Sequence, residues 1–343
     1  MNESLWRSLL RSFLSTFAKV TAFILALILG VLLISTIQQT EDEIPNNFDA
    51  EILPNADGVR KKASSSAPVI LQIDIKGVIG AEGLEQKDIE SLLVESRENS
   101  LKSDRVKAIL LMINTPGGGA SDADGIYRAL MEYKARYKVP VVAYVDGLCA
   151  SGGMFVACAA DEIVATKMSM IGSIGVITSA FLNVSKTMEK IGVDSLTLYA
   201  GKGKDDLNPL RPWKEGEAKN FKEIIEASYK QFVDLVVKHR PQIGRERLVN
   251  DFGANIYIAE QAKEYGYIDD LVEGRGEALK KLLTKLSIED DFYQVIRLDS
   301  TNWLAQLLKS ESPLFTGKIK HQLFSIDALP ERLMNQPLYL YRP

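Results

Sequence analysis

From Val145 to Ala165 the chain reads VDGLCASGGMFVACAADEIVA, and the only hydroxyl in it is Ser151, set between Ala150 and the pair Gly152-Gly153. A serine there can attack a carbonyl if helix N–H groups hold the developing oxyanion and a base takes its proton. A serine N-cap would suit the same place. A second glycine run, Gly117-Gly118-Gly119, follows the apolar stretch VKAILLMINT. Ligand sites of α/β sheets lie at the carboxyl ends of strands. The N–H groups of Gly117 and Gly152 are therefore candidates for one oxyanion hole. No GK[ST] follows the triple glycine, so a phosphate loop is excluded.

The base is the open question. The chain has two histidines, His239 in KHRP and His321 in KIKH, and both are expected at surfaces or helix ends. Lysine is the alternative partner of a catalytic serine. It starts near pKa ~10.4 and must fall by several units to accept a proton near neutrality. The segment LYAGKGKDDLNPLRPW offers Lys202 and Lys204. Cys149 and Cys158 are not spaced as metal ligands and read as buried small hydrophobes, with a disulfide allowed but not required. Cys149 as nucleophile has nothing nearby in sequence to lower its pKa.

These residues need a scaffold. Val106 to Ile113 and Val139 to Val145 are continuous apolar runs, as in strands buried on both faces of a parallel sheet. Alternating Val69, Leu71, Ile73 and Ile75 predict an earlier strand, and EIVAT a short later one. Helices are expected over 86–104, 122–137, 151–160, 214–240 and 276–285, and residues 259–273 read as helix, Gly266 turn and strand. Alternating strands and helices imply an α/β domain. Upstream, Val20 to Ile37 carries no charge and is long enough to span a bilayer, with Arg7, Arg11 and Lys19 before it and Glu41, Asp42 and Glu43 after it. A single anchor with its N-terminus in the cytoplasm is expected, favoured over a cleaved signal peptide. The organisation expected is an anchor over 1–40, a polar linker over 41–67, a catalytic domain over 68–275 and an extension over 276–343. A net charge of −4 with no long basic run gives no support for nucleic-acid binding.

The blocks INTPGGGASDADGI, VDGLCASGGMFVACAADEIVA, MIGSIGVI and GKGKDDLNP, in that order, make residues 68–273 resemble the S49 family of membrane-anchored serine peptidases, of the signal peptide peptidase A type. The resemblance implies a Clp protease/crotonase-like α/β fold with one N-terminal transmembrane helix. It implies a Ser-Lys dyad, with Ser151 as nucleophile, Lys204 as base and Ser173 holding the lysine. Neither metal nor cofactor is implied. The implied substrates are apolar peptides left in the inner membrane after signal-peptide removal, cleaved on its periplasmic side by a homo-oligomer, with the pair completed within or across subunits. The sequence departs from the family at Gly203, where an aromatic is usual, and at Cys149 and Met154. Met154 and Phe155 are assigned to the substrate pocket. The competing readings are a crotonase-like acyl-CoA enzyme and a non-catalytic membrane-anchored binding module.

Overall fold

The computed structural model describes residues 3–37, 48–64, 66–102, 104–288, 291–300 and 338–340. Residues 1–46 and 47–343 form separate units. The first unit is one helix, Glu3–Ile37, which contains the predicted span. Within it Phe13–Gly30 has a mean hydropathy of 2.0 and is not buried by protein, so the helix is long and apolar enough to cross a membrane.

The second unit is an α/β domain on a nine-stranded sheet. Its strands are β1 (Phe48–Leu53), β2 (Val69–Lys76), β3 (Val106–Thr115), β5 (Val141–Ala150), β6 (Glu162–Ala165), β7 (Met170–Gly172), β8 (Ile256–Ile258), β9 (Asp270–Leu271) and β10 (Gln294–Ser300). The order is β1-β10-β2-β3-β5-β6-β9, with β7 beside the distal end of β5 and β8 beside β7. From β10 to β9 the neighbours pair in parallel, while β1 on β10 and β8 on β7 are antiparallel. The continuous apolar runs have the expected cause. Ile109, Leu111 and Ile113 enter one core and Ala108, Leu110 and Met112 the other, so β3 is buried on both faces.

A separate two-stranded ladder joins β4 (Gly117–Gly119) to β11 (Leu338–Leu340), antiparallel. The segment expected as a linker contributes β1, and the expected extension contributes β10, which carries β1 onto the edge of β2. Gln294–Ser300 of the expected extension are thus part of the sheet. His321 lies outside the described residues.

Candidate active site

Three parallel strands end at the site. Thr115 at the end of β3 is level with Cys149 on β5, and Ala150 at the end of β5 is level with Gly172 on β7. The next residues along β5 and β7 are Ser151 and Ser173, so the sheet places the two serines on adjacent strand ends, about 5 Å apart between strands. Both have positive φ, 53° for Ser151 and 56° for Ser173. Non-glycine residues held there cost on the order of 1–3 kcal/mol each and concentrate at functional sites.

Ser151 heads the helix Gly152–Ala157 but makes no capping hydrogen bond with its side chain. A merely structural N-cap would make one. The turn is instead fixed by backbone, since Ser151 N–H donates to Gly172 C=O at 2.9 Å and Phe155 N–H donates to Ser151 C=O at 3.1 Å. The hydroxyl lies 3.4 Å from the Gly175 carbonyl, a long contact for an O–H donor. Ser151 is 1% exposed. Gly152, Gly153 and Met154 occupy the first helical positions, whose N–H groups have no intrahelical acceptor. Gly153 has no room for a Cβ, which would stand 2.6 Å from Thr115 Cγ2.

The glycine strand sorts its own amides. Gly117 N–H donates to Thr115 Oγ1 at 3.0 Å, so this amide already has an acceptor. Ile79 N–H donates to Gly117 C=O and Gly119 N–H donates to Ile79 C=O, each at 2.9 Å. Those groups face Ile79, so the alternation of an extended chain turns the N–H and C=O of Gly118 to the other edge. That edge is where Leu338–Leu340 lies, with Tyr339 opposite Gly118. The amide that faces an extended peptide is therefore that of Gly118, not that of Gly117, and in this structure the peptide on that edge is Leu338–Leu340. The Thr115 hydroxyl, two residues upstream, is the signal in the sequence that separates the two glycines.

Met154 and Phe155, read as pocket residues, are 0% and 4% exposed and belong to the core. Phe155 packs edge-on to Tyr127 and tilted against Phe232. A helix begun at Ser151 turns this face onto the domain interior, so the assignment is corrected to core packing. Cys149 and Cys158 are free and buried. Burial pushes the Cys149 thiol far above its ordinary range and the Cys158 thiol up to about 12, which disfavours a thiolate nucleophile.

Lys204 sits in an exposed turn closed by its own N–H to Gly201 C=O at 3.3 Å. Its Nζ has no hydrogen-bond or ion-pair partner among the described residues, and within one chain neither kind of contact joins Lys204 or Lys202 to Ser151. The segment around it exposes Leu196 (85%) and Leu198 (86%) together with Ile191 and Tyr199. His239 has its hydrogen-bond partner in Tyr127, whose hydroxyl lies 2.7 Å from its Nε2.

The model of peptidase family S49 matches residues 134–289, the stretch holding Ser151, Ser173 and Lys204. An inferred protease of Methanocaldococcus jannaschii is 38% identical over 53% of this chain and 57% of its own length. An inferred signal peptide peptidase SppA of Enterococcus faecium is 29% identical over 72% of each chain. The chloroplastic serine protease SPPA of Arabidopsis thaliana is 31% identical over 57% of this chain and 28% of its own length. The match thus spans little more than half of the archaeal relative. Among solved structures a ClpP1 mutant from Listeria monocytogenes superposes with a TM-score of 0.41 at 18% identity, over 61% of this chain and 94% of that one. By the family match and these relatives, residues 134–289 of the chain are similar to peptidase family S49.

Proposed function

We propose that this protein is a membrane-anchored serine endopeptidase with a Ser151-Lys204 dyad. The observation that carries the reading is Ser151 itself: buried, held at positive φ at a strand-to-helix turn, making no capping bond, and flanked by two glycine segments. The Ser151 hydroxyl attacks the peptide carbonyl as neutral Lys204 takes its proton. The N–H groups of Gly118 and Gly152 hold the oxyanion. The lysine ammonium then protonates the leaving amine, and water, deprotonated by the same lysine, releases the acyl group. Ser173 fixes the lysine.

Because Lys204 is exposed and has no partner among the described residues, on a segment rich in exposed apolar side chains, we assign it to the site of a second copy. The helix Glu3–Ile37 anchors the protein with its N-terminus in the cytoplasm and the catalytic domain in the periplasm. Apolar peptides at the membrane, cleaved signal peptides among them, are then the accessible substrates.

The test is turnover of an apolar fluorogenic peptide by the full chain in detergent, as wild type, Ser151→Ala, Lys204→Ala and Lys202→Ala. Loss in the first two variants alone is expected. Mixing inactive Ser151→Ala with inactive Lys204→Ala should restore part of the activity if the pair forms between copies. Loss in Lys202→Ala but not Lys204→Ala would move the base, and peptidase activity surviving Ser151→Ala would overturn the reading.

A further inference from the structure

The turn that carries Lys204 is exposed, yet the residue after it is not. The Asp205 side chain is 8% exposed and that of Glu217 is 6% exposed, and both meet Arg211. Arg211 Nε donates to Asp205 Oδ2 at 2.5 Å, Nη2 donates to the Asp205 carbonyl, and Nη1 pairs with Glu217 Oε1 at 2.7 Å. The remaining oxygens are also used. Glu217 Oε2 accepts the Leu207 N–H at 3.1 Å, and Asp205 Oδ1 accepts from Asn208 Nδ2 at 2.6 Å. Leu207 is itself held at φ 58°. One guanidinium thus ties the backbone and side chain of Asp205 to the start of the next helical segment.

A loop with few buried apolar groups has little else to define its shape, and a planar fork of donors suits that task where a lysine would not. The cluster also carries charge. Hydrogen bonding from Arg211 holds the Asp205 carboxyl below its ordinary range. Burial pushes Glu217 up, but Arg211 and two backbone N–H groups outweigh it and leave it below its ordinary range. Two carboxylates against one guanidinium leave one net negative charge on the loop that carries Lys204, with Asp206, Lys202 and Lys214 on the same loop.

We propose that Arg211 is a positioning residue for catalysis: with Asp205 and Glu217 it holds the loop in the shape that presents Lys204 to the serine, and it balances the carboxylates that would otherwise keep that lysine charged. This rests on Lys204 being the base. Replacing Arg211 by Gln leaves two unbalanced carboxylates. Lys204 is then harder to deprotonate, and the acid limb of kcat/KM moves to higher pH. Replacing Glu217 by Gln removes a negative charge and moves the limb to lower pH. A purely structural role would scale both profiles without moving them.

The experiment is the pH profile of peptide turnover by the full chain in detergent for wild type, Arg211→Gln, Arg211→Lys, Glu217→Gln and Lys204→Ala. Arg211→Gln should lower kcat about 10- to 100-fold at neutral pH with KM little changed, as expected for a misplaced catalytic group, and methylguanidinium should restore part of it. Arg211→Lys, which keeps the charge and loses the fork, should lower kcat without moving the limb. Unmoved limbs in both Gln variants, with Lys204→Ala inactive, would overturn this inference alone. An active Lys204→Ala would instead remove the dyad on which it rests.

Discussion

Gly118→Ala tests whether the glycine strand is fixed by geometry or merely tolerated. A Cβ on Gly118 would stand 1.9 Å from Ile79 O and 2.7 Å from both Ile79 C and Ile79 N. These are backbone atoms and cannot rotate away. Ordinary carbon contact needs about 3.5 Å, so one strand must move by roughly 1.5 Å. Such a move breaks the two 2.9 Å hydrogen bonds between β4 and Ile79. Losing them costs about 1 kcal/mol each, and overpacking adds about 1–3 kcal/mol, so about 4 kcal/mol in all is at stake. If β4 instead shifts locally, less stability is lost but the Gly118 amide leaves its place, and a 1 Å misplacement costs on the order of 100-fold in rate. The assay is urea unfolding together with kcat/KM on the same preparation. Gly274→Ala is the control, because a Cβ there meets nothing within 4 Å in extended backbone, and as an N-cap change its cost should stay within about 1 kcal/mol. A Gly118→Ala protein matching wild type in both stability and kcat/KM would refute the reasoning.

Two further outcomes are expected. Burial first, then Lys238, Lys134 and Arg240, depress the His239 pKa below its ordinary 6.5. The unfolded chain therefore takes up the proton first as pH falls, and the stability present above pH 6.5 declines from there down to the folded value. His239→Gln should flatten this decline in urea midpoints between pH 7.5 and 5, and parallel profiles for the two proteins would show the histidine is not responsible. Tyr339→Pro removes the N–H that faces Gly118 across the β4–β11 ladder and should free that edge of β4, raising kcat/KM on peptide several-fold. Unchanged kinetics would mean that the strand does not compete with substrate.

The scaffold was legible where side chains carry a period. The unbroken apolar runs at β3 and β5 predicted strands covered on both faces, and Gly266 ends its helix at φ 93° as a turn glycine should. Helix starts and stops were less so. The helix expected over 86–104 ends at Glu95, because the buried Ser96 hydroxyl turns back to Leu93 C=O and meets the Tyr133 hydroxyl. Strands whose residues signal nothing by themselves were missed. β4 is three glycines and has no side-chain pattern, while β1 is a strand chiefly because it finds β10, and β10 because it finds both β1 and β2, across more than two hundred residues.

The site divides along the same line. Ser151 and its glycines could be read because a small, strained turn restricts which residues fit, and that restriction is written locally. The choice between Gly117 and Gly118 depends on which edge of a strand Ile79 occupies, and Ile79 lies nearly forty residues upstream. The orientation of Phe155 depends on Tyr127 and Phe232, on two other helices. Lys204 is the extreme case. Its loop is shaped within the chain by Arg211, but among the described residues nothing accepts its ammonium group, so neither sequence order nor the fold of one chain supplies the partner that would make it a base. On the proposed dyad, Lys204 acts as the base only where a second copy takes it out of water, which would tie activity to association, so dilution below the dissociation point should abolish turnover while leaving Ser151 and its turn intact.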